Sequence, residues 1–216
     1  MLENVKRWLG SAEAIDEDRW VVLDVETSGL DAKRDRLLAI AAIAVRLDGD
    51  TPRIHLGDSF EVVLRQPVAT AAPDKGNILL HGIGVGAQRA GVEPALALAA
   101  FEAWVGRSPL VAFHAAFDRA MIERACRDTL ARCLPNPWLD LEPVAAVLYP
   151  EVRARALDEW LARFDIHCAV RHQAAADTLA TAELMLKLWP ALRRQLPKPR
   201  FREVVALAAQ RRWMPQ

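Results

Sequence analysis

"WVVLDVETSGL", residues 20–30, is a run of valine and leucine interrupted by two acids. The β-branched and apolar residues read as a buried strand, and a strand alternates its side chains between two faces. Asp24 and Glu26 therefore share one face, where burying even one carboxylate without a partner is costly. Read alone, the segment allows a short strand ending at Asp24, with Glu26 in a solvated turn. It equally allows a rigid strand that presents both carboxylates to a cation.

The 216 residues, 52% hydrophobic and 26% charged, suffice for one well-formed core. Twenty-eight basic and twenty-eight acidic side chains cancel, so total charge neither implies nor excludes a polyanionic partner. Cys126, Cys133 and Cys168 form no CxxC pair and no zinc spacing, which fits a reducing compartment. The amino-terminal residues lack the apolar segment of a signal peptide, and no charge-free run reaches transmembrane length. The expectation is a cytoplasmic protein with no membrane partner.

Around the opening stretch the chain changes character twice. Leu2, Val5 and Leu9 mark a short amphipathic helix in an extension over residues 1–18. After the first strand come apolar runs over about 36–47 and 59–66, separated by the turn-forming "DGDTP", which together suggest an antiparallel meander. A glycine-rich stretch, "HGIGVGAQRAG", leads into the helical "EPALALAAFEAWVG", with Pro94 in an early turn and Gly106 at its end. Short strands at "PLVAFH" and "NPWLDL" then alternate with helices at "AAFDRAMIERACRDTLA", "ALDEWLARF" and "AAADTLATAELMLKLW". The order predicts an α/β domain over residues 19–190, with a mixed sheet flanked by helices. Residues 191–216 are basic apart from Glu203 and read either as a tail that meets phosphates or a partner, or as a solvated helix.

Further acids follow in order. Asp118 lies at the start of a predicted helix in "FHAAFDRA", and His172 and Asp177 lie in "RHQAAADTLA". Each has an ordinary explanation: a first-turn carboxylate meeting a helix dipole, or a surface histidine. Their joint occurrence with Asp24 and Glu26 is what those explanations cover badly. Hard carboxylate oxygens without a cysteine cluster are the ligand chemistry of Mg²⁺ or Mn²⁺. On one continuous helix the five-residue step from His172 to Asp177 would separate them by roughly 140°. They can share a site only if His172 precedes the helix and Asp177 stands in its early turns.

At this point the chain resembles the DEDDh 3′-to-5′ exonucleases, the family of the epsilon proofreading subunit of bacterial replicative polymerases, RNase T and oligoribonuclease. "LDVETSGL" is similar to the first motif, "HAAFD" to the second and "HQAAAD" to the third, over about residues 20–189. The resemblance implies a ribonuclease H-like fold and two divalent ions, Mg²⁺ or Mn²⁺. It implies that Asp24 bridges both ions, Glu26 and Asp177 hold the first, and Asp118 supports the second. His172 would be the general base on the attacking water. Thr27 and Leu30 would meet the terminal nucleotide, with the leucine wedged against its base.

One departure concerns the second motif, where family members often carry His-Asn and this chain has Phe113-His114, which places His114 among the substrate contacts. Lys33, Arg34 and Arg36 read either as phosphate-attracting or as a solvated turn, His81 is given no chemistry, and Asp140 is read as structural. The partner implied is a single-stranded or frayed 3′ end of DNA or RNA, with a polymerase subunit or a second copy of the chain as further candidates. The reading is a metal-dependent exonuclease releasing nucleoside 5′-monophosphates in proofreading or repair. The alternatives are a catalytically silent nucleic-acid-binding or polymerase-accessory module on the same fold, and another phosphoryl transferase such as an endonuclease.

Overall fold

The computed structural model describes residues 14–48, 51–67, 78–79 and 81–213. The helix expected at Leu2, Val5 and Leu9 lies outside the described residues. β1 (Arg19–Thr27), β2 (Leu37–Arg46) and β3 (Arg53–Val63) form the antiparallel meander. β4 (Leu110–Ala112) joins β1 in parallel and β5 (Trp138–Asp140) joins β4, giving a five-stranded mixed sheet in the order β3-β2-β1-β4-β5. Among the described residues no helix is long and apolar enough to cross a membrane.

Helices cover both faces. The stretch from the Gly-rich segment to β4 holds α1 (Val85–Ala90) and α2 (Pro94–Val105), and α3 (Ala116–Leu130) follows β4. α2 and α3 cover one face, where Val21, Leu23 and Val25 of β1 meet Leu98, Phe101, Met121 and Ile122. α4 (Leu141–Leu148), α5 (Leu157–Arg163), α6 (Ala174–Gln195) and α7 (Phe201–Ala208) cover the other, against Trp20 and Val22. Asp24 and Glu26 continue the stripe of Trp20 and Val22, on the face that α6 covers.

β2 is buried along nearly its whole length and spends that burial on small residues, with Ala39 opposite Glu26 and Ala41 opposite Asp24. Alanine there lets α6 approach the sheet closely enough for Thr178 Oγ1 to donate to the Ala41 carbonyl at 3.1 Å. That contact sits one residue from Asp177.

Three features depart from the sequence reading. β3 begins six residues before the expected position of 59, because its mostly exposed edge strand shows little apolar alternation. α4 follows directly on β5, capped by Asp140, whose carboxylate accepts from the Glu142 amide. α6 runs through Pro190 to Gln195. Pro190 forgoes one helical hydrogen bond at a cost of ~3 kcal/mol. Burial of Leu188, Trp189, Ala191 and Leu192 outweighs it, since each large apolar side chain contributes about 1.5–3 kcal/mol. After a short link, α7 buries Phe201, Val204 and Leu207, with the Phe201 ring edge-on to Trp20 at 5.1 Å. The residues after 190 thus share the core of the domain.

The start of β1 is pinned by Arg19, which is almost fully buried. Its guanidinium donates from Nε and Nη2 to the two Asp58 oxygens, both at 2.8 Å, and from Nη1 to Ser108 Oγ at 2.7 Å and the Val105 carbonyl at 3.2 Å, and it lies 4.7 Å from the Trp104 ring. The Arg19 hydrogen bonds, reinforced by Arg46, pull the Asp58 carboxyl down to about 2. A carboxylate held below its unfolded value contributes stability that is present above pH ~4 and lost as pH falls toward 2. Asp58→Ala leaves the Arg19 charge buried and should cost about 3 kcal/mol in urea unfolding at pH 7, with the difference shrinking in acid.

Candidate active site

β4 and β5 stop at Ala112 and Asp140, whereas β1 continues to Thr27, five residues past its last pairing with β4 at Val22. Asp24 and Glu26 therefore stand in the crevice beyond the carboxyl ends of the parallel strands, where open α/β sheets bind ligands. Asp118 reaches the same place from the first turn of α3. The Val25 amide, beyond the end of β4, donates to its carboxylate. Asp177 arrives from the first turn of α6. Asp118 and Asp177 are buried, at 5% and 6% exposure, while Asp24 and Glu26 are partly so.

These carboxylates affect one another. Burial, then the charges of Asp118, Glu26 and Asp177, hold the Asp24 carboxyl well above the usual range. Burial and Asp177 raise Glu26 to about 7, against the favourable donation of the Ala174 amide at the start of α6. Burial raises Asp118 to about 8, with Asp140 and Glu26 adding to it. Such clustering of buried like charges is the electrostatic signature of a functional site.

His172 lies two residues before α6, so histidine and aspartate stand on opposite sides of the helix start. Its backbone amide donates to Asp177 Oδ2 at 3.0 Å, and its side chain is exposed. His172 and His114 have φ of 62° and 61°, a left-handed conformation unusual for residues with a Cβ. The His114 amide donates to Asp140 Oδ1 at 3.0 Å, so Asp140 ties the second loop to the start of α4. Thr27 is buried and its hydroxyl donates to the Gly29 carbonyl at 2.7 Å. A Cβ at Gly29 would lie 2.5 Å from the Asp35 carboxylate, so a larger residue there would displace the side chain that braces the turn through Ser28 and Asp31. The turn leaves Leu30 90% exposed, an apolar side chain held up at the rim.

Arg171 is the participant that the sequence reading missed. Its guanidinium donates to Asp177 Oδ1 and to Asp158 Oδ1, and its charge opposes the upward shifts of Asp24 and Glu26. Cys168 Sγ also approaches Asp177 Oδ1, at 3.4 Å. No local pattern marks Arg171, since its second partner Asp158 lies thirteen residues away on α5.

Among the described residues no group of three His, Cys, Asp or Glu side chains closes on one point as a finished cation site. Both oxygens of Asp177 are engaged, Oδ1 by Arg171 and Oδ2 by the His172 amide. The donor set nonetheless suits a divalent cation. Glu26 Oε1 is buried with no hydrogen-bond partner, in a cluster of hard oxygens whose repulsion a cation would relieve.

Fold and site together define an α/β domain with a carboxylate cluster beyond the carboxyl ends of its parallel strands. A model of the RNase_T exonuclease family matches residues 21–185, and the chain belongs to that family. It is 31% identical over 177 residues to the PolC-type DNA polymerase III of Bacillus subtilis, a match covering 81% of this chain and 12% of that polymerase. The Clostridium perfringens counterpart is 31% identical over 181 residues, covering 82% and 11%. The chain thus spans about an eighth or less of these relatives. Among solved structures, E. coli Exonuclease I in complex with a dT13 oligonucleotide superposes with a TM-score of 0.69 at 20% identity, covering 83% of this chain and 43% of that one. The cell-death related nuclease CRN-4 gives 0.65 at 15% identity, covering 80% and 64%. At these identities the likeness establishes the ribonuclease H-like fold.

The raised acids set a pH dependence. A carboxyl held above its unfolded value favours the folded state at low pH, and that stability is lost as pH rises from the unfolded value through the folded one. In chelator, the unfolding free energy, and with it the melting temperature, should therefore fall between pH 5 and pH 8, with buried Asp118 alone contributing on the order of 1 kcal/mol or more. Mg²⁺ or Mn²⁺ should reduce the fall, and Glu26→Gln or Asp118→Asn should flatten it without metal.

Proposed function

We propose that this chain is a 3′-to-5′ exonuclease that releases nucleoside 5′-monophosphates one at a time from single-stranded DNA. The observation that carries it is the convergence of Asp24, Glu26, Asp118 and Asp177 from three separate elements on one crevice, with His172 at its rim. DNA is favoured over RNA because the PolC relatives are DNA polymerases and the Exonuclease I structure contains dT13. The same relatives favour a proofreading setting with a polymerase as partner.

In this reading the four carboxylates would hold two divalent cations, of the Mg²⁺ or Mn²⁺ type. When bound, such ions stabilise the charge that develops on the attacking and leaving oxygens of a phosphodiester. Asp24, on the rigid central strand, would hold these ions together with Glu26, Asp118 and Asp177. The terminal nucleotide rests against Leu30, backed by the Thr27 to Gly29 turn, and the backbone passes near His114. His172 accepts the proton from water as its oxygen attacks phosphorus. The bond from phosphorus to the 3′-oxygen of the preceding nucleotide breaks, and that oxygen takes a proton from solvent. His172 is exposed, so it returns its own proton to bulk water between turnovers.

The test uses 5′-labelled single-stranded DNA and RNA with Mg²⁺, Mn²⁺ or chelator. A metal-dependent ladder shortening from the 3′ end is expected, faster on DNA. Asp24→Asn should lower kcat by about 10³-fold or more and His172→Ala by about 10²–10⁴-fold, with melting curves retained. Binding of both strands without shortening by the wild type would assign the chain to a silent binding module instead.

A further inference from the structure

The domain continues past residue 185, where the family match ends, and the last described element stands beside the proposed site. α7 starts at the amino end of the sheet, where the Phe201 amide donates to Glu17 Oε2 at 2.9 Å, just before β1. It packs against β5 and α4 and runs toward the carboxyl ends of the strands. The 3₁₀ turn that follows, Ala209–Trp213, packs on α4. There the Arg211 charge acts on Glu142, in the first turn of α4, and His114 acts on the same carboxyl. One helix start therefore separates the chain's final basic turn from the loop of the second motif.

The chemistry of that turn is specific. Trp213 is 78% exposed, and the Arg212 guanidinium lies 5.2 Å from its ring. Neither residue is buried in the core, whereas Phe201, Val204 and Leu207 fix the helix that carries them. An exposed indole beside arginines offers what single-stranded nucleic acid recognises, a stacking face for a base and cations for its phosphates. Arg155, exposed and also acting on Glu142, extends the basic rim on the same side. Of the nearby acids, Glu142 faces these cations, Asp140 accepts from the His114 and Glu142 amides, and Glu203 accepts from the Arg200 amide on the far end of α7.

We propose that Arg211, Arg212 and Trp213 form a secondary binding surface for single-stranded nucleic acid, which holds the strand upstream of the terminal nucleotide and acts on substrates long enough to span both places. The inference rests on the exonuclease reading for its geometry. The turn adds affinity for length and takes no part in bond cleavage.

The full chain carrying Arg211→Gln, Arg212→Gln and Trp213→Ala is compared with wild type on a thymidine trinucleotide and on a thymidine oligomer of about 20 nucleotides. The expected result is a KM for the long oligomer raised about tenfold or more, kcat within about twofold, and an unchanged KM for the trinucleotide. The salt dependence of long-oligomer binding, read by fluorescence anisotropy, should lose a slope of about 1.4 for the two charges. An equal change on both substrates, or none on either, overturns the proposal. If wild type cleaves neither substrate, the exonuclease reading fails, and the anisotropy comparison still decides the surface: tighter binding of the long oligomer that the triple variant loses supports it, and equal binding overturns it.

Discussion

Two carboxylates one strand period apart, on the buried face of the central strand, are the constraint around which the rest of the domain is arranged. Desolvation and mutual repulsion both work against Asp24 and Glu26, and Asp118 and Asp177 add to the repulsion. The fold answers with dipoles and one cation: the Ala174 amide at Glu26, the Val25 amide at Asp118, and the Arg171 guanidinium at Asp177. The cost is sustained because the same strand is anchored elsewhere. Trp20 and Val22 lie in a large apolar cluster, and Arg19 is tied to β3 and to the end of α2.

The geometry of the carboxylate cluster follows from unequal strand lengths. Because β4 and β5 end early, the far part of β1 has no parallel neighbour, and the amino ends of α3 and α6 fill the space with one aspartate each. The alanines of β2 let α6 close down on the sheet, so a choice of small residues on one strand sets the position of an acid on a helix. The two histidines at the rim both have positive φ, which places backbone strain at the loops that lead into these helices. Strain of this kind persists only where the surroundings fix it, and Asp140 and Asp177 each accept a backbone hydrogen bond at those loops.

The segment after residue 190 links stability and recognition. A sequence rich in arginine allowed either a tail that meets phosphates or a partner, or a solvated helix; in α7 every third residue, Phe201, Val204 and Leu207, is apolar and buried, and Arg202 is exposed. The same helix that completes the core beside Trp20 carries a basic, aromatic turn onto α4. Core packing and surface chemistry here belong to one short element.

The sequence by itself determined the order of the strands and longer helices, the strand carrying Asp24 and Glu26, and the placing of Asp118 and Asp177 in the first turns of two helices, with His172 just before one of them. These are encoded locally, by a period of two in β1 and by short motifs at two helix starts. It did not reveal α4, hidden in a short run after β5, or the passage of α6 through Pro190, where burial outweighs the local penalty. It could not reveal Arg171, whose role depends on α5 and α6 lying side by side. Tertiary structure alone decided how Asp177 is oriented, how far β1 outruns its neighbours, and where the final basic turn comes to rest. Each of these is set by contacts between residues far apart in the chain, and periodicity carries no record of such contacts.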